Sequence, residues 1–245
     1  MMEIDSAERV VDLNKRILSK PALRMLYDEY YGIFDACIDK APSEGLVIEF
    51  GSGAGFIKEI IPSIIRTDII PYKNLDICLD ATVLPFKNRS ISAIFMLNTL
   101  HHISNAEALF DEACRCLKPR GRILIIDQYP GWLSYWILKY AHHEPFDKNT
   151  KEWVFKTTGP LSGANGALCW IIFFRDRMMF KKLFPDLRIT SISKHTPLRY
   201  WLSGGLKSWC LLSKRFFKLA GIFDNAISKM FPELSSFVSI EIVRI

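Results

Sequence analysis

The stretch Leu46–Phe50, apolar except for Glu49, runs directly into Gly51-Ser52-Gly53-Ala54-Gly55, and this passage limits the folds open to the chain. Three glycines at alternate positions let the backbone turn sharply and let a ligand lie against the main chain. The five residues before them read as a short buried strand. A helical stretch expected behind them, Phe56–Ile61, would offer unpaired N–H groups to an acceptor.

The first half of the chain repeats this alternation. Ile64–Thr67, Asp76–Leu79, Ala93–Leu97 and Arg122–Ile126 read as further strands, and Asn105–Leu117 as a helix closed by Lys118-Pro119-Arg120-Gly121. Strands alternating with helices at this spacing require crossover connections, hence a mainly parallel sheet. Residues 7–40 read as two helices divided at Lys20-Pro21, because proline disfavours helix in the residue before it. Beyond Asp127 the pattern loosens. Residues 128–170, rich in Trp, Tyr, His and Pro, read as an insertion, followed by a helix at Asp176–Phe184 and a strand at Leu187–Ile192. An amphipathic basic region at 198–231 precedes a last strand, Phe237–Ile245, expected antiparallel at the sheet edge.

The blocks that carry chemistry follow in order. Glu49-x-Gly51-x-Gly53-x-Gly55 is not the dinucleotide fingerprint, which wants glycine where Phe56 stands. Asp68 ends the second strand, 19 positions after Glu49. Asp80-Ala81-Thr82-x-Leu84-Pro85-Phe86, Asn98-Thr99-Leu100-His101-His102-Ile103 and Leu117–Leu124 come next. Together these resemble the class I S-adenosylmethionine-dependent methyltransferases, most closely the broad type 11 group, over about residues 45–127. The resemblance implies an α/β Rossmann-like, mainly parallel seven-stranded sheet with an antiparallel C-terminal strand and helical lid insertions. It implies S-adenosyl-L-methionine as cofactor, held by Glu49, Gly51, Ser52, Gly53, Gly55, Asp68, Asp80, Ala81 and Asn98. In that family Asp68 would hold the ribose hydroxyls and Asp80 the adenine amine. Ser92-Ala93 departs from the pattern, which often has an acidic residue before the fourth strand. The chain then divides into N-terminal helices (1–44), a cofactor-binding core (45–127), a lid insertion (128–175) and a basic insertion (195–236) of one domain.

Methyl transfer to a hydroxyl needs a proton acceptor with a pKa near neutrality, which favours histidine. Four of the five histidines form the pairs His101-His102 and His142-His143, and His102 and His143 are the candidate bases. Metal-ligand spacing is lacking: His142, His143, Glu144 and Asp147 cluster without it, and no metal is expected. Trp153, Phe155, Asn165 and Trp170 read either as acceptor pocket or as lid core.

Charge separates the halves. Residues 1–128 hold 15 basic against 18 acidic residues, and residues 129–245 hold 17 against 8. Leu206, Trp209, Leu212, Phe216 and Leu219 recur at helical spacing with Lys207, Lys214, Arg215 and Lys218 opposite. That pattern suits either a helix in a membrane interface or one packed on the sheet. Cations mixed with apolar residues argue against a nucleic-acid groove. The start shows no basic then apolar segment, so no signal peptide is expected, and the six scattered cysteines read as reduced packing residues of a cytosolic protein. Beyond residue 128, His142-His143-Glu144-Pro145 and Tyr200-x-Leu202-Ser203-Gly204-Gly205 resemble methyltransferases among bacterial cell-surface glycan enzymes, and this resemblance implies O-methylation of a small-molecule, sugar or lipid-linked glycan acceptor at the cytoplasmic membrane face. The alternatives are a quinone or lipid methyltransferase, a non-catalytic S-adenosylmethionine-binding membrane-associated protein and, more remotely, a nicotinamide oxidoreductase.

Overall fold

The computed structural model describes residues 5–53, 55–142, 144–156, Gly159 and 162–245. Seven strands form one sheet in the order β3-β2-β1-β4-β5-β7-β6. They are β1 (Leu46–Phe50), β2 (Ile65–Asp68), β3 (Ile77–Cys78), β4 (Ile91–Leu97), β5 (Leu117–Gln128), β6 (Leu187–His195) and β7 (Phe237–Arg244). β1 to β5 pair in parallel, while β7 runs antiparallel to both β5 and β6. The C-terminal strand is therefore antiparallel as expected but lies inside the sheet, and β6 forms the edge.

Helices cover both faces. α1 (Ala7–Ser19) and α2 (Pro21–Ile38) meet at Lys20, α3 (Ala106–Cys116) follows β4, and α4 (Trp132–Tyr140) opens the insertion after β5. Then come a short turn, α5 (Leu168–Trp170), α6 (Arg177–Leu183), α7 (Arg199–Leu202) and α8 (Phe217–Met230). Alternate residues of β4 feed opposite cores. Ile94 and Met96 pack with Leu109, Phe110 and Phe173 on one face, and Ala93, Phe95 and Leu97 pack with Leu23, Leu26 and Phe34 on the other. Phe34 stacks on Phe95 with ring centroids 4.7 Å apart. A sheet buried on both faces has no room for polar side chains along its middle, so functional groups collect at strand ends.

Three sequence expectations change. Phe56–Ile61 is only a 3₁₀ turn, Ile57–Glu59, because Pro62 disfavours helix in the residue before it. The third strand shortens to Ile77–Cys78. The stripe Leu206–Leu219, read at helical spacing, is helical only from the 3₁₀ turn Lys214–Phe216 into α8. Gly204 and Gly205 both take left-handed backbone angles, and an irregular segment follows up to the 3₁₀ turn Lys214–Phe216. The six cysteines are unbridged, but Cys78 and Cys210 are exposed and do not pack. Among the described residues no helix is long and apolar enough to cross a membrane.

Candidate active site

The glycine turn is built at the end of β1. Gly51 has φ +63° and lies so close to Thr99 that a Cβ there would stand 2.4 Å from Thr99 Cγ2. Ser52 N donates to Thr67 O at 2.9 Å, and Ser52 Oγ donates to Glu49 O at 3.3 Å. Asp68, at the tip of β2, accepts from Gly53 N at 2.9 Å and from Ile70 N at 3.0 Å. Because the element behind the loop is a single 3₁₀ turn, no helix N-terminus faces a ligand. The loop's own backbone and the flanking acidic side chains define the site.

A cavity of about 760 Å³ opens there, within the range of small-molecule sites. Its lining includes all nine residues expected to hold the cofactor: Glu49, Gly51, Ser52, Gly53, Gly55, Asp68, Asp80, Ala81 and Asn98. Glu49 is 1% exposed and its Oε2 meets no hydrogen-bond donor among the described residues. Burial, with Asp68 adding to it, pushes the Glu49 carboxyl up to about 7. Burial also raises Asp68, opposed by the backbone N–H groups it accepts. Asp80 Oδ1 accepts from Thr82 N at 2.8 Å, so this carboxylate shapes its own turn as well as facing the cavity. Asn98 holds φ +52°, a strained value of the kind found at functional positions. A buried carboxylate oxygen without a donor, a glycine turn and a second carboxylate on the next strand suit a ligand carrying an ammonium group and a diol.

The far end of the cavity is lined by His101, His102, Gln128, His142 and Glu144. His101 and His102 form a 3₁₀ turn after β4, and Asp127 ends β5 beside them. His101 Nδ1 lies 2.6 Å from Asp127 Oδ1, and His101 N donates to Asp127 Oδ2 at 3.3 Å. His101 Nε2 is 3.3 Å from Glu144 Oε2, and His102 Nε2 is 3.6 Å from Glu144 Oε1. Gln128 Nε2 donates to Glu144 Oε2 at 3.3 Å. Burial opposes charge on His101, but Asp127 and Glu144 outweigh it and raise the imidazole to about 10. Burial and then the neighbouring His101 lower His102 to about 4. Burial works against Glu144 ionising, but His101 holds it below the usual carboxylate range.

His102 thus lines the cavity as expected, whereas His143 lies outside the described residues. Asp147 is turned away, accepting from Asn149 N at 2.8 Å. Trp153 is fully buried and donates through Nε1 to Asp176, and Asn165 donates to Asp147 O at 2.9 Å. With Phe155 and Trp170 packed against the core, these four form lid core and none lines the cavity. Sequence reasoning names Glu144 only beside its neighbours His142 and His143, not with His101 and His102, and misses Asp127 and Lys20. Asp127 could have been found as an acid at a strand's C-terminal end. Lys20, buried between α1 and α2, donates through Nζ to Ser203 O at 3.3 Å, to Gly205 O at 2.8 Å and to Lys207 O. It thereby fixes the loop whose residues Gly204, Leu206 and Trp209 wall the cavity.

The sequence model of the methyltransferase domain family matches residues 48–125. No curated protein sequence matches the chain. A solved geranyl diphosphate C-methyltransferase from Streptomyces coelicolor A3(2), with Mg²⁺, geranyl-S-thiolodiphosphate and S-adenosyl-L-homocysteine, aligns with TM-score 0.53 at 16% identity over 91% of this chain and 78% of its own. A geranyl diphosphate methyltransferase in complex with S-adenosylmethionine aligns with TM-score 0.52 at 11% identity over 95% and 90%.

Proposed function

We propose that the protein, whose residues 48–125 match the methyltransferase domain family, is a class I S-adenosylmethionine-dependent methyltransferase that methylates an oxygen of an amphiphilic acceptor, a sugar or lipid-linked glycan, at the cytoplasmic face of a membrane. The observation that carries this reading is the continuity of one cavity. It runs from the glycine turn to His102 and Glu144, and its wall includes Ile137 and Ala141 near the end of α4 and Trp209 of the loop pinned by Lys20.

S-adenosylmethionine supplies an electrophilic methyl group when bound. Glu49 would hold its ammonium, Asp68 its ribose hydroxyls and Asp80 its adenine amine, all three lining the cavity. Alignment of acceptor and methyl group within one cavity would alone supply several kcal/mol. His102, which lines the cavity with Glu144 beside it, would take the acceptor hydroxyl's proton, the carboxylate stabilising the imidazolium against the burial and the neighbouring His101 that lower His102 to about 4.

The outer surface supports the membrane part of the reading. α4 exposes Trp132, Trp136 and Tyr140, with Lys139 between them. α8 exposes Leu219, Ile222 and Phe223 beside Lys218, and Lys214 and Arg215 precede it. Both helices pack against the turn Pro232–Leu234. Exposed large side chains gathered on neighbouring elements mark a contact surface, and aromatics interleaved with lysines suit an anionic lipid interface.

The test combines the protein, methyl-labelled S-adenosylmethionine and a membrane lipid extract. Demethylated quinone and geranyl diphosphate, a substrate class that the solved structures carry in their names, form separate arms. Label on an oxygen of a lipid-linked or free glycan supports the proposal. Label on quinone or on a prenyl carbon replaces the acceptor, and no label in any lipid or glycan fraction removes it.

A further inference from the structure

The distances from Glu144 to His101 and His102 match the spacing of ligands that share an ion. A charge-assisted N–H to carboxylate hydrogen bond is about 2.7–2.9 Å long. The contacts of Glu144 with His101 Nε2 and His102 Nε2 are 3.3 and 3.6 Å, too long for that. Two donors each about 2.1 Å from one tetrahedral cation stand about 3.4 Å apart. The ligand atoms offered by His101, His102 and Glu144 all lie within 4.8 Å of one another.

The ring orientations agree. His101 Nδ1 is committed to Asp127 Oδ1 at 2.6 Å, and Asp127 also holds the His101 backbone N–H. His102 Nδ1 faces the carbonyl oxygen of Gly163 at 3.4 Å. An imidazole whose Nδ1–H is taken by an oxygen offers Nε2 to a cation, which on His101 must displace the Nε2 proton that Asp127 and Glu144 favour, and here both Nε2 atoms are turned to the same carboxylate. A carboxylate behind a histidine is the arrangement that orients metal-binding imidazoles and raises their basicity.

We propose that His101, His102 and Glu144 bind a borderline divalent cation of the zinc class, leaving an open position toward the cavity. Two imidazoles and one carboxylate with a vacant position form a donor set that suits Zn²⁺, Fe²⁺ or Co²⁺ better than Mg²⁺. Binding requires only these residues. Its role rests on the acceptor reading above: the open position would take the acceptor's oxygen and lower the pKa of its hydroxyl, whose proton would then leave to water at the cavity mouth, His102 serving as ligand when the cation is bound and as base when it is not.

Cobalt reports the site without any acceptor. Chelator-treated full-length protein is titrated with Co²⁺, read by its visible ligand-field absorption, and Zn²⁺ is then added to displace it. The proposal expects one Co²⁺ per chain with the intense bands of a four- or five-coordinate site, displaced by one equivalent of Zn²⁺. Glu144→Gln and His102→Ala should weaken binding at least 100-fold, and Asp127→Asn about 10- to 100-fold. S-adenosylhomocysteine affinity within threefold of wild type shows that a variant is folded. Absence of saturable Co²⁺ uptake by the wild type, or uptake unchanged in folded Glu144→Gln, overturns the site while leaving the methyltransferase reading intact. Loss of transfer to every acceptor with Co²⁺ binding intact would instead strike the acceptor reading.

Discussion

Asp68 Oδ2 accepts the Gly53 amide at 2.9 Å, so the acid at the end of β2 holds in shape the turn at the end of β1. The same carboxylate faces the cavity, which gives it two separable effects. Asp68→Ala removes the ribose acceptor and should weaken S-adenosylhomocysteine binding by about 1.5–3 kcal/mol in calorimetry. It also strips the Gly53 and Ile70 amides of their acceptor and should lower unfolding stability without ligand by about 1–3 kcal/mol. Wild-type affinity in this variant would mean that the ribose lies elsewhere.

Glu49 links cofactor binding to protons. Its carboxyl rises from 4.5 to about 7 in the folded chain, so the fold favours the neutral form. That contribution to stability is complete below pH 4.5 and is lost as pH climbs through about 7. An ammonium placed beside Glu49 requires the ionised form, so binding near pH 6 should release close to one proton. Calorimetry in buffers of different ionisation heat reads this release directly. Glu49→Gln should abolish it and flatten the stability profile between pH 4.5 and 7.

Gly51 is a glycine of the cofactor turn that admits no side chain. Gly51→Ala places a methyl 2.4 Å from Thr99 Cγ2 at φ +63°. The left-handed backbone and the clash together should cost at least about 2 kcal/mol in chemical denaturation, with loss of cofactor binding. Adding Thr99→Ala should recover the part due to the clash but not the part due to the backbone.

The membrane surface predicts a split between binding events. Trp136→Ser with Phe223→Ser should release the protein from anionic vesicles in co-sedimentation, each deletion removing roughly 1–3 kcal/mol. Lys214→Gln with Lys218→Gln should weaken it by about 1 kcal/mol per charge and reduce its salt dependence. Cofactor affinity should not change in either pair. Vesicle binding equal to wild type in both would exclude this face.

What could be seen in the sequence follows from physical range. Glu49, Asp68, Asp80 and Asn98 each end a strand or follow one, so strand spacing alone brings them together, and the cavity gathers all four. The His101, Asp127 and Glu144 cluster joins positions on β4's turn, β5 and the insertion, and no local pattern links them. The His-His-Glu-Pro segment drew attention to its histidines, yet Glu144 is the residue that the other histidine pair surrounds. The stripe from Leu206 to Leu219 has helical spacing, but Lys20 takes three carbonyls of the loop at 203–207, and the tandem glycines turn the chain there. Periodicity cannot register a lysine nearly two hundred positions away.

Amide hydrogen exchange with and without S-adenosylhomocysteine tests the central claim most directly. Protection should rise together at Glu49–Gly53, Asp68–Ile70 and Asp80–Thr82, three segments far apart in sequence that border one cavity. Ligand binding that leaves these three segments unprotected, or no binding at all, would contradict the account.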